Sequence, residues 1–192
     1  MQRRRFLALA AILPALSSSE LVAQPGKAAA QRTPSGRTIG EMRSDWKSFL
    51  PAGASIPSPT PPLNLSKDEW RKRLSREAFH VLREEGTERA GTSALNGEKR
   101  RGVYACAGCG LPLFTSEMKF DSGTGWPSFF TTIPGVFATK DDNLLIYTRT
   151  EYHCARCGGH HGHVFKDGPA PTYERWCNNG LALTFMPSNA PA

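Results

Sequence analysis

The chain has 192 residues and a formal net charge of +7 at pH 7. This length predicts one domain of ordinary size with additional segments. Residues 1–23 contain three arginines and one glutamate, so two of the seven positive charges belong to this segment and +5 remain for the rest of the chain. No long basic run with interleaved aromatic residues follows, which argues against a nucleic-acid-binding protein.

The first residues have the pattern of an export signal. Residues 3–7 read Arg-Arg-Arg-Phe-Leu, and residues 7–16 are mostly apolar. This apolar stretch is too short to span a bilayer comfortably, so we expect no stable membrane anchor. An arginine pair ahead of Phe-Leu resembles a bacterial twin-arginine signal, which is read by a receptor. We therefore predict a signal peptide over 1–23, with cleavage after Ala23 or Ala30 and a periplasmic location. A basic start of a cytosolic protein is the alternative.

A linker is predicted to follow. Residues 24–62 are rich in Ala, Pro, Ser and Gly and end in a proline-rich run. Such a composition buries no core and favours extended conformations. Within it, the segment 45–50 (Asp-Trp-Lys-Ser-Phe-Leu) is the one candidate for docking on the domain.

The ordered domain is predicted to span residues 66–187. It begins with Ser66-Lys-Asp-Glu69, which has the pattern of a helical capping box. Apolar residues at helical spacing predict one helix that ends near Glu85, before Gly86; they are Trp70, Leu74, Ala78, Val81 and Leu82.

From Gly102 the pattern changes to short β-prone runs broken by Gly, Pro, Asn and Asp. One helix followed by many short strands indicates an α+β, mainly β domain. The predicted strands are 102–105, 112–114, 128–131, 135–139, 143–150, 162–166 and 181–185.

Four of the five cysteines form two CxxC pairs with 44 residues between them: Cys106 and Cys109, then Cys154 and Cys157. Two such pairs supply four thiolates for one closed, structural Zn²⁺ site. Glycines follow each pair and permit tight turns around a metal. Disulfides are the alternative in an oxidising compartment. A protein that is exported already folded would carry its zinc from the cytoplasm, and spacing favours zinc.

The fifth cysteine, Cys177, lies in Arg-Trp-Cys-Asn-Asn-Gly at 175–180. A thiolate is favoured by nearby positive charge, so Cys177 beside Arg175 is a candidate nucleophile. A buried, inert cysteine is the plain alternative.

Four histidines cluster at positions 153, 160, 161 and 163. If 160–163 is a regular strand, His161 and His163 share one face and His160 lies on the other. His163 and Asp167 together suggest a proton donor near neutral pH. A second metal is not favoured, because no further ligand stands at a defined spacing.

Three segments together resemble a known family. They read KFDSGTGWPSF at 119–129, GHVFKDGP at 162–169 and RWCNNG at 175–180. These motifs, in this order, are similar to the peptide-methionine (R)-S-oxide reductases, the MsrB family. The resemblance covers roughly residues 66–187, and the CxxC pairs stand where zinc-binding members carry them.

The resemblance implies a small antiparallel β barrel-like domain with peripheral helices. It also implies that Cys177 is the nucleophile and that Trp126 packs against the methyl group of the substrate. Polar residues expected around the sulfoxide are His160, His163, Asp167, Arg175 and Asn179.

These residue types suit the reaction. A thiolate can attack the electrophilic sulfur of a sulfoxide if the oxygen is protonated or hydrogen-bonded as it leaves. We expect Cys177 to attack, His163 to donate the proton, and Asn179 and His160 to hold the oxygen. The products are methionine and a sulfenic acid on Cys177.

Thr124 stands where many members have a resolving cysteine, in the motif GCGWPSF. With four cysteines on zinc, no sixth thiol exists to form an intramolecular disulfide. The sulfenic acid therefore requires an external thiol, either a thioredoxin-like protein or a small thiol.

Other departures from the family pattern surround the nucleophile. They are His161 in the usual HLGH, Tyr173-Glu174 in place of a glycine-rich turn, and Trp176 and Asn178 on either side of Cys177. Every proposed catalytic residue type is still present.

The favoured hypothesis is a periplasmic enzyme that repairs oxidised proteins, and nothing requires more than a monomer. The first alternative is a zinc-ribbon-like binding module without catalysis, with a buried and inert Cys177. The second is a secreted, disulfide-bonded structural protein.

Overall fold

A computed structural model describes residues 32–33, 35–142 and 149–188. The predicted signal peptide and its two cleavage positions lie outside these residues, as do residues 143–148 of one predicted strand. Among the helices of the described part, none is long and apolar enough to cross a membrane.

The predicted single helix is two helices, α2 (Lys67–Arg73) and α3 (Arg76–Glu84). The capping box at Ser66 and Glu69 is present. The chain becomes extended at Leu74, and the hydroxyl of Ser75 accepts the backbone N–H of Ala78 to begin α3. A serine side chain that caps a new helix competes with continuation of the old one, which the apolar spacing alone does not reveal.

Part of the predicted linker belongs to the folded domain. Helix α1 (Ile39–Ser44) and a 3₁₀ turn (Trp46–Phe49) lie within it. Met42 and Phe49 are only 1% and 3% exposed, and Arg37 pairs with Glu117 of the domain at 2.9 Å. The expectation that this stretch buries no core is therefore wrong for residues 37–44, because average composition hides a well-placed apolar side chain. The expected docking of residues 45–50 on the domain is confirmed by the burial of Phe49 and its contact with Arg101.

The strands of the described residues form two antiparallel sheets. One sheet has the order β2 (Pro112–Thr115), β1 (Gly102–Cys106) and β9 (Leu183–Pro187). The other has the order β3 (Lys119–Phe120), β4 (Ser128–Phe129), β8 (Arg175–Asn178), β7 (His160–Phe165), β6 (Arg149–Cys154) and β5 (Phe137–Asp142). The prediction of a mainly antiparallel β fold with N-terminal helical structure is confirmed.

The strand prediction missed β8, which carries Cys177, and the short β3. The strand predicted at 143–150 runs from Arg149 to Cys154 in its described part. In β8 the motif is polar, so it lacks the apolar signal by which strands are recognised.

Aromatic side chains fill the space between the sheets. Phe114 of β2 stacks on Phe129 of β4 with ring centroids 3.9 Å apart, and Tyr104 of β1 meets Phe129 edge-on at 5.0 Å. Phe137 and Tyr152 extend this core along the six-stranded sheet. Each fully buried ring of this kind contributes about 2–3 kcal/mol. The aromatic core therefore covers one face of the six-stranded sheet, and the candidate site lies on the opposite face.

Candidate active site

A row of side chains crosses the six-stranded sheet. In the strand register, Cys177 of β8 lies opposite Ser128 of β4 on one side and His163 of β7 on the other. His163 lies opposite Glu151 of β6, which lies opposite Lys140 of β5. Directly opposed residues of antiparallel strands project from the same face, with Cβ atoms about 5 Å apart. The register therefore places the thiol of Cys177 beside the imidazole of His163.

A β-bulge decides which histidines lie on this face. The register of β6 against β7 shifts between Tyr152 and His153, and His161 is the extra residue in β7. The rings of His160 and His163 lie 5.7 Å apart, whereas His161 is fully buried. The prediction that His161 shares a face with His163 is wrong, because a bulge breaks the alternation of side chains along a strand.

Gly162 allows β7 to approach the nucleophile closely. Its φ is +155°, and a Cβ atom at this position would lie 2.0 Å from the carbonyl oxygen of Cys177. No side chain fits at that distance, so the approach of β7 to β8 requires glycine here.

Cys177 is half-buried, and opposing influences act on its thiol. Burial raises the pKa of Cys177, while the guanidinium of Arg175 and a hydrogen bond with Thr124 act to lower it. Burial is the largest of these influences, so Cys177 at rest is a protonated thiol at neutral pH. Arg175 favours the thiolate, as the sequence indicates, but it does not outweigh burial.

Asp167 holds Arg175 in place. Nε and Nη2 of Arg175 donate to Oδ1 and Oδ2 of Asp167 at 2.8 and 2.9 Å, and the guanidinium lies 4.2 Å from the centre of the Phe165 ring. This ion pair lowers the pKa of the Asp167 carboxyl. The side chain of Asp167 is 61% exposed and that of Arg175 only 9%. The described contacts of Asp167 therefore orient Arg175.

The carboxylate partner of His163 is Asp142, and the expected pairing with Asp167 is not formed. Nε2 of His163 lies 2.9 Å from Oδ2 of Asp142, which also accepts a bond from Arg149 at 2.6 Å. Burial lowers the pKa of His163, and the bond to Asp142 partly opposes this effect. His163 is therefore neutral at rest. The carboxylate of Asp142 is placed to stabilise the imidazolium that forms if His163 takes up a proton.

Glu151 orients His160. Nδ1 of His160 contacts Oε1 of Glu151, and Nζ of Lys140 lies 3.0 Å from Oε2. Burial lowers the pKa of His160 against the attraction of Glu151. In the neutral ring the proton belongs on Nδ1, which leaves the buried Nε2 as an acceptor with no partner among the described residues. His160 can therefore hold a substrate oxygen only when Nε2 is also protonated.

Trp126 and Asn179 are both tied to Glu88. The indole N–H of Trp126 donates to the carbonyl oxygen of Glu88 at 3.1 Å. Oδ1 of Asn179 accepts the backbone N–H of Glu88 at 2.9 Å, and Nδ2 donates to the carbonyl oxygen of His161 at 3.0 Å. Asn179 is 4% exposed, so these bonds fix its amide within the protein.

The unusual residues beside Cys177 are paired with one another. The side chains of His161 and Asn178 are both fully buried, and Nδ1 of His161 lies 3.3 Å from the amide group of Asn178. The indole N–H of Trp176 donates to Glu174 at 3.1 Å. The departures at positions 161 and 178 thus contact each other and leave β8 intact around the nucleophile, while the buried Nε2 of His161 has no hydrogen-bond partner among the described residues.

The two CxxC pairs converge on one centre. The Sγ atoms of Cys106 and Cys157 are 3.6 Å apart, as are those of Cys109 and Cys154. A disulfide requires about 2.05 Å. Four sulfurs at about 2.3 Å from a tetrahedral zinc ion would lie about 3.8 Å apart. The geometry fits a metal-binding cluster and excludes disulfides in this arrangement.

Three carboxylates of the site were not anticipated from the sequence: Glu88, Asp142 and Glu151. All three residues are buried, with exposures of 7%, 6% and 4%. Their partners lie at very different distances along the chain: Arg149 is 7 residues from Asp142, His160 is 9 residues from Glu151, and Leu181 is 93 residues from Glu88. Since a buried charge requires partners, their burial is the signal that identifies them, and burial is a tertiary property.

The chain is similar to known methionine sulfoxide reductases. The SelR domain matches residues 74–187. The peptide methionine sulfoxide reductase MsrB of Methanosarcina barkeri is 50% identical over 121 residues, which cover 62% of this chain and 85% of that protein. The MsrB of Agrobacterium fabrum is 47% identical over 129 residues, covering 67% of this chain and 96% of that protein. The chloroplastic peptide methionine sulfoxide reductase B2 of Arabidopsis thaliana is 48% identical over 139 residues, covering 71% of this chain and 66% of that protein.

Proposed function

The chain belongs to the SelR-domain family of MsrB peptide methionine sulfoxide reductases and is an oxidoreductase of that class; from this premise we propose that Cys177 reduces peptide-bound L-methionine (R)-sulfoxide. The observation that carries the proposal is the row across the sheet that sets Cys177 beside His163. A half-buried thiol beside an imidazole that can accept its proton is suited to nucleophilic attack on a sulfoxide.

The first step transfers the sulfoxide oxygen. The thiolate of Cys177 attacks the substrate sulfur and forms an S–S bond; the S–O bond to the substrate sulfur and the new S–S bond then break, and the oxygen ends on Cys177 as a sulfenic acid. The substrate sulfur is reduced by two electrons and the cysteine sulfur is oxidised by two. One proton is needed on the oxygen, which equals the proton that Cys177 loses on becoming a thiolate.

The pKa directions support one route for that proton. Cys177 begins as a thiol and His163 as a neutral imidazole. His163 therefore acts as a carrier: it takes the thiol proton, is stabilised as an imidazolium by Asp142 at 2.9 Å, and passes the proton to the oxygen. From the sequence we expect His163 to carry the proton from the start, whereas burial keeps its imidazole neutral before the reaction.

Substrate recognition is assigned to the side of the site that carries Trp126. A surface depression of about 440 Å³ adjoins Trp126 and offers space for polypeptide next to the oxidised residue; its lining includes Asn96, Lys119, Asp121 and Pro127. The indole supplies an apolar wall for the methyl group, and Arg175 supplies positive charge near the thiolate.

The cysteine cluster is assigned one structural Zn²⁺ ion. Cys106, Cys109, Cys154 and Cys157 would hold it, and four thiolates leave no open position for chemistry. Its contribution would be to join the end of β1 to the end of β6.

Regeneration of Cys177 is assigned to an external thiol, a thioredoxin-like protein or a small thiol. Thr124, which acts to lower the pKa of the Cys177 thiol, offers no sulfur at the position of a resolving cysteine. The first external thiol would displace water from the sulfenic acid to form a mixed disulfide, and the second would release the free thiol of Cys177. The proposed location is the periplasm, with export by the twin-arginine route, and the substrates are oxidised proteins.

The test is a stereo-resolved reductase assay on residues 24–192 loaded with zinc. Separate R- and S-sulfoxides of a blocked methionine are supplied with dithiothreitol, and Cys177→Ser serves as control. Turnover of the R isomer alone, lost in the variant, is expected. Absence of turnover with either isomer would overturn the proposal and return attention to the binding-module alternative.

A further inference from the structure

Glu88 contacts two segments of the site, residues 179–181 and Trp126, with every polar group it has. Its carboxylate oxygens accept the backbone N–H groups of Gly180 at 2.6 Å and of Leu181 at 2.9 Å. Its own N–H donates to Asn179, and its carbonyl oxygen accepts the indole N–H of Trp126. Glu88 is 7% exposed, so this carboxylate is a buried charge with defined partners.

The carboxylate fastens the chain that follows the nucleophile. Gly180 begins the 3₁₀ turn Gly180–Ala182, directly after Asn179 and β8. A Cβ atom at Gly180 would lie 1.9 Å from Oγ of Ser93 and 3.2 Å from Oε1 of Glu88. The loop from Glu88 to Ser93 is therefore packed tightly against this turn, and charge-assisted bonds to two amides hold it there.

The same loop fastens the chain that carries the indole. Besides the bond from Trp126 to Glu88, the N–H of Gly91 donates to the carbonyl oxygen of Gly125 at 2.8 Å. The amide of Asn96 donates to that oxygen at 2.9 Å. The turn before β4 is therefore held in place by its contacts with the loop that Glu88 anchors.

We propose that Glu88 is a positioning residue for the reaction, which holds the indole of Trp126 at a fixed separation from the end of β8 that carries Cys177. This inference rests on the proposed function, since the separation matters only if a sulfoxide binds between the indole and the thiol. A displacement of about 1 Å between a binding group and a reacting group can cost about 100-fold in rate.

The test compares Glu88→Gln with Glu84→Gln. Glu88→Gln keeps the size of the side chain but replaces one acceptor oxygen with an NH₂ group, which opposes a backbone N–H of Gly180 or Leu181. Glu84 lies on α3, with a 40% exposed side chain that pairs with Lys67 and His80 at the surface, so its substitution is the matched control. Both variants are assayed with R- and S-sulfoxides of a blocked methionine.

Positioning and a merely structural role predict different kinetics. Loss of folded protein lowers the apparent kcat and leaves KM and the preference for the R isomer unchanged. Loss of positioning raises KM and reduces the R-over-S preference; for Glu88→Gln we expect kcat/KM to fall by about tenfold or more. Unchanged KM and unchanged stereochemical preference, with Glu84→Gln also at wild-type values, would overturn the proposal.

A second measurement does not depend on activity. Hydrogen exchange of the indole N–H of Trp126, identified by its absence in Trp126→Phe, should be at least about tenfold faster in Glu88→Gln than in wild type or Glu84→Gln. An unchanged exchange rate would contradict the proposed anchoring. If the wild-type protein reduces no sulfoxide, the proposed function fails and the role of Glu88 in the reaction fails with it, while faster exchange would still establish the anchoring itself.

Discussion

The chain uses cysteine in two regions with opposite surroundings. In the cluster, each sulfur has other sulfurs as its nearest polar neighbours, at separations of 3.6 Å. At the centre of the six-stranded sheet, the single sulfur of Cys177 has a guanidinium, a hydroxyl and an imidazole around it. The first environment suits a metal that removes four thiols from chemistry, and the second suits one reactive thiol. The neighbours of a cysteine therefore determine its role.

The largest expected effect tests the reactive side of this comparison. Cys177→Ser should lower kcat/KM for the R-sulfoxide by at least about 10,000-fold, because the nucleophile is removed. The melting temperature should stay within a few degrees of wild type, since Cys177 is only half-buried. A variant that keeps more than a few per cent of wild-type activity would contradict the assignment. The measurement is a steady-state assay with chromatographic detection of methionine.

The next effect tests the structural side. Cys154→Ser removes one of the four sulfurs and should lower the free energy of unfolding by more than about 4 kcal/mol, because metal binding and folding are linked. Denaturant unfolding and zinc content by atomic absorption measure this. Wild-type protein treated with a strong chelator should show the same loss. Full stability of the chelated wild type would show that the cluster contributes nothing to the fold.

A smaller effect concerns the charge beside Cys177. Burial raises the pKa of this thiol and Arg175 opposes that rise, so Arg175→Leu should raise the pKa further. Each unit of increase lowers the thiolate fraction at pH 7 by about tenfold. Alkylation of Cys177 by iodoacetamide, followed by mass spectrometry from pH 6 to 10, should slow accordingly.

The control for that experiment is Arg175→Lys, which keeps the charge and should slow alkylation less. In wild type the rate should keep rising with pH above neutrality, because the raised pKa leaves mostly thiol at pH 7. A plateau that begins below pH 7 would mean that the folded protein lowers the pKa, contrary to the expected direction. The four cluster cysteines should stay unmodified throughout in zinc-loaded protein.

The buried pair behind the nucleophile predicts acid sensitivity. Burial lowers the pKa of His161 to about 3, so its folded-state pKa is below that of the unfolded chain. Its contribution to stability is fully present above the unfolded pKa and is lost as the pH falls. Wild type should lose about 2 kcal/mol between pH 7 and pH 5 from this residue alone. Urea unfolding of wild type and of the double variant His161→Leu/Asn178→Val isolates the effect, since the double variant lacks this loss.

The single variants sharpen that test. Either His161→Leu or Asn178→Val alone leaves one buried polar side chain without its partner, whereas the double variant removes both. The two stability losses should therefore be non-additive by about 1 kcal/mol at pH 7. Additive losses would show that the two side chains do not interact.

The smallest effect on turnover is expected for Thr124→Cys. The side chain of Thr124 is close enough to act on the pKa of the Cys177 thiol, so a cysteine there should capture the sulfenic acid as a disulfide. With one equivalent of substrate and no reductant, wild type should form a dimedone adduct at Cys177. The variant should form none and should lose 2 Da as a disulfide forms, while its rate with dithiothreitol changes by less than about threefold. A dimedone adduct of equal yield in both proteins would exclude this contact during catalysis.

The residues that carry the chemistry can be identified in the sequence, because each belongs to a short motif of neighbouring residues. The two CxxC pairs, the motif around Cys177 and the run that contains Trp126 are each readable within a dozen residues, and together they led to the family and the mainly β fold. Tertiary structure decided what depends on distant partners. The bulge directs the side chain of His161 into the core. The carboxylate partner of His163 is Asp142 and not Asp167, and Glu88 and Glu151 add two further buried carboxylates to the site. These carboxylates belong to no motif, since burial and pairing across strands arise only when the chain has folded. The same reason explains the split of one predicted helix into two and the packing of Met42, whose segment has the composition of a linker.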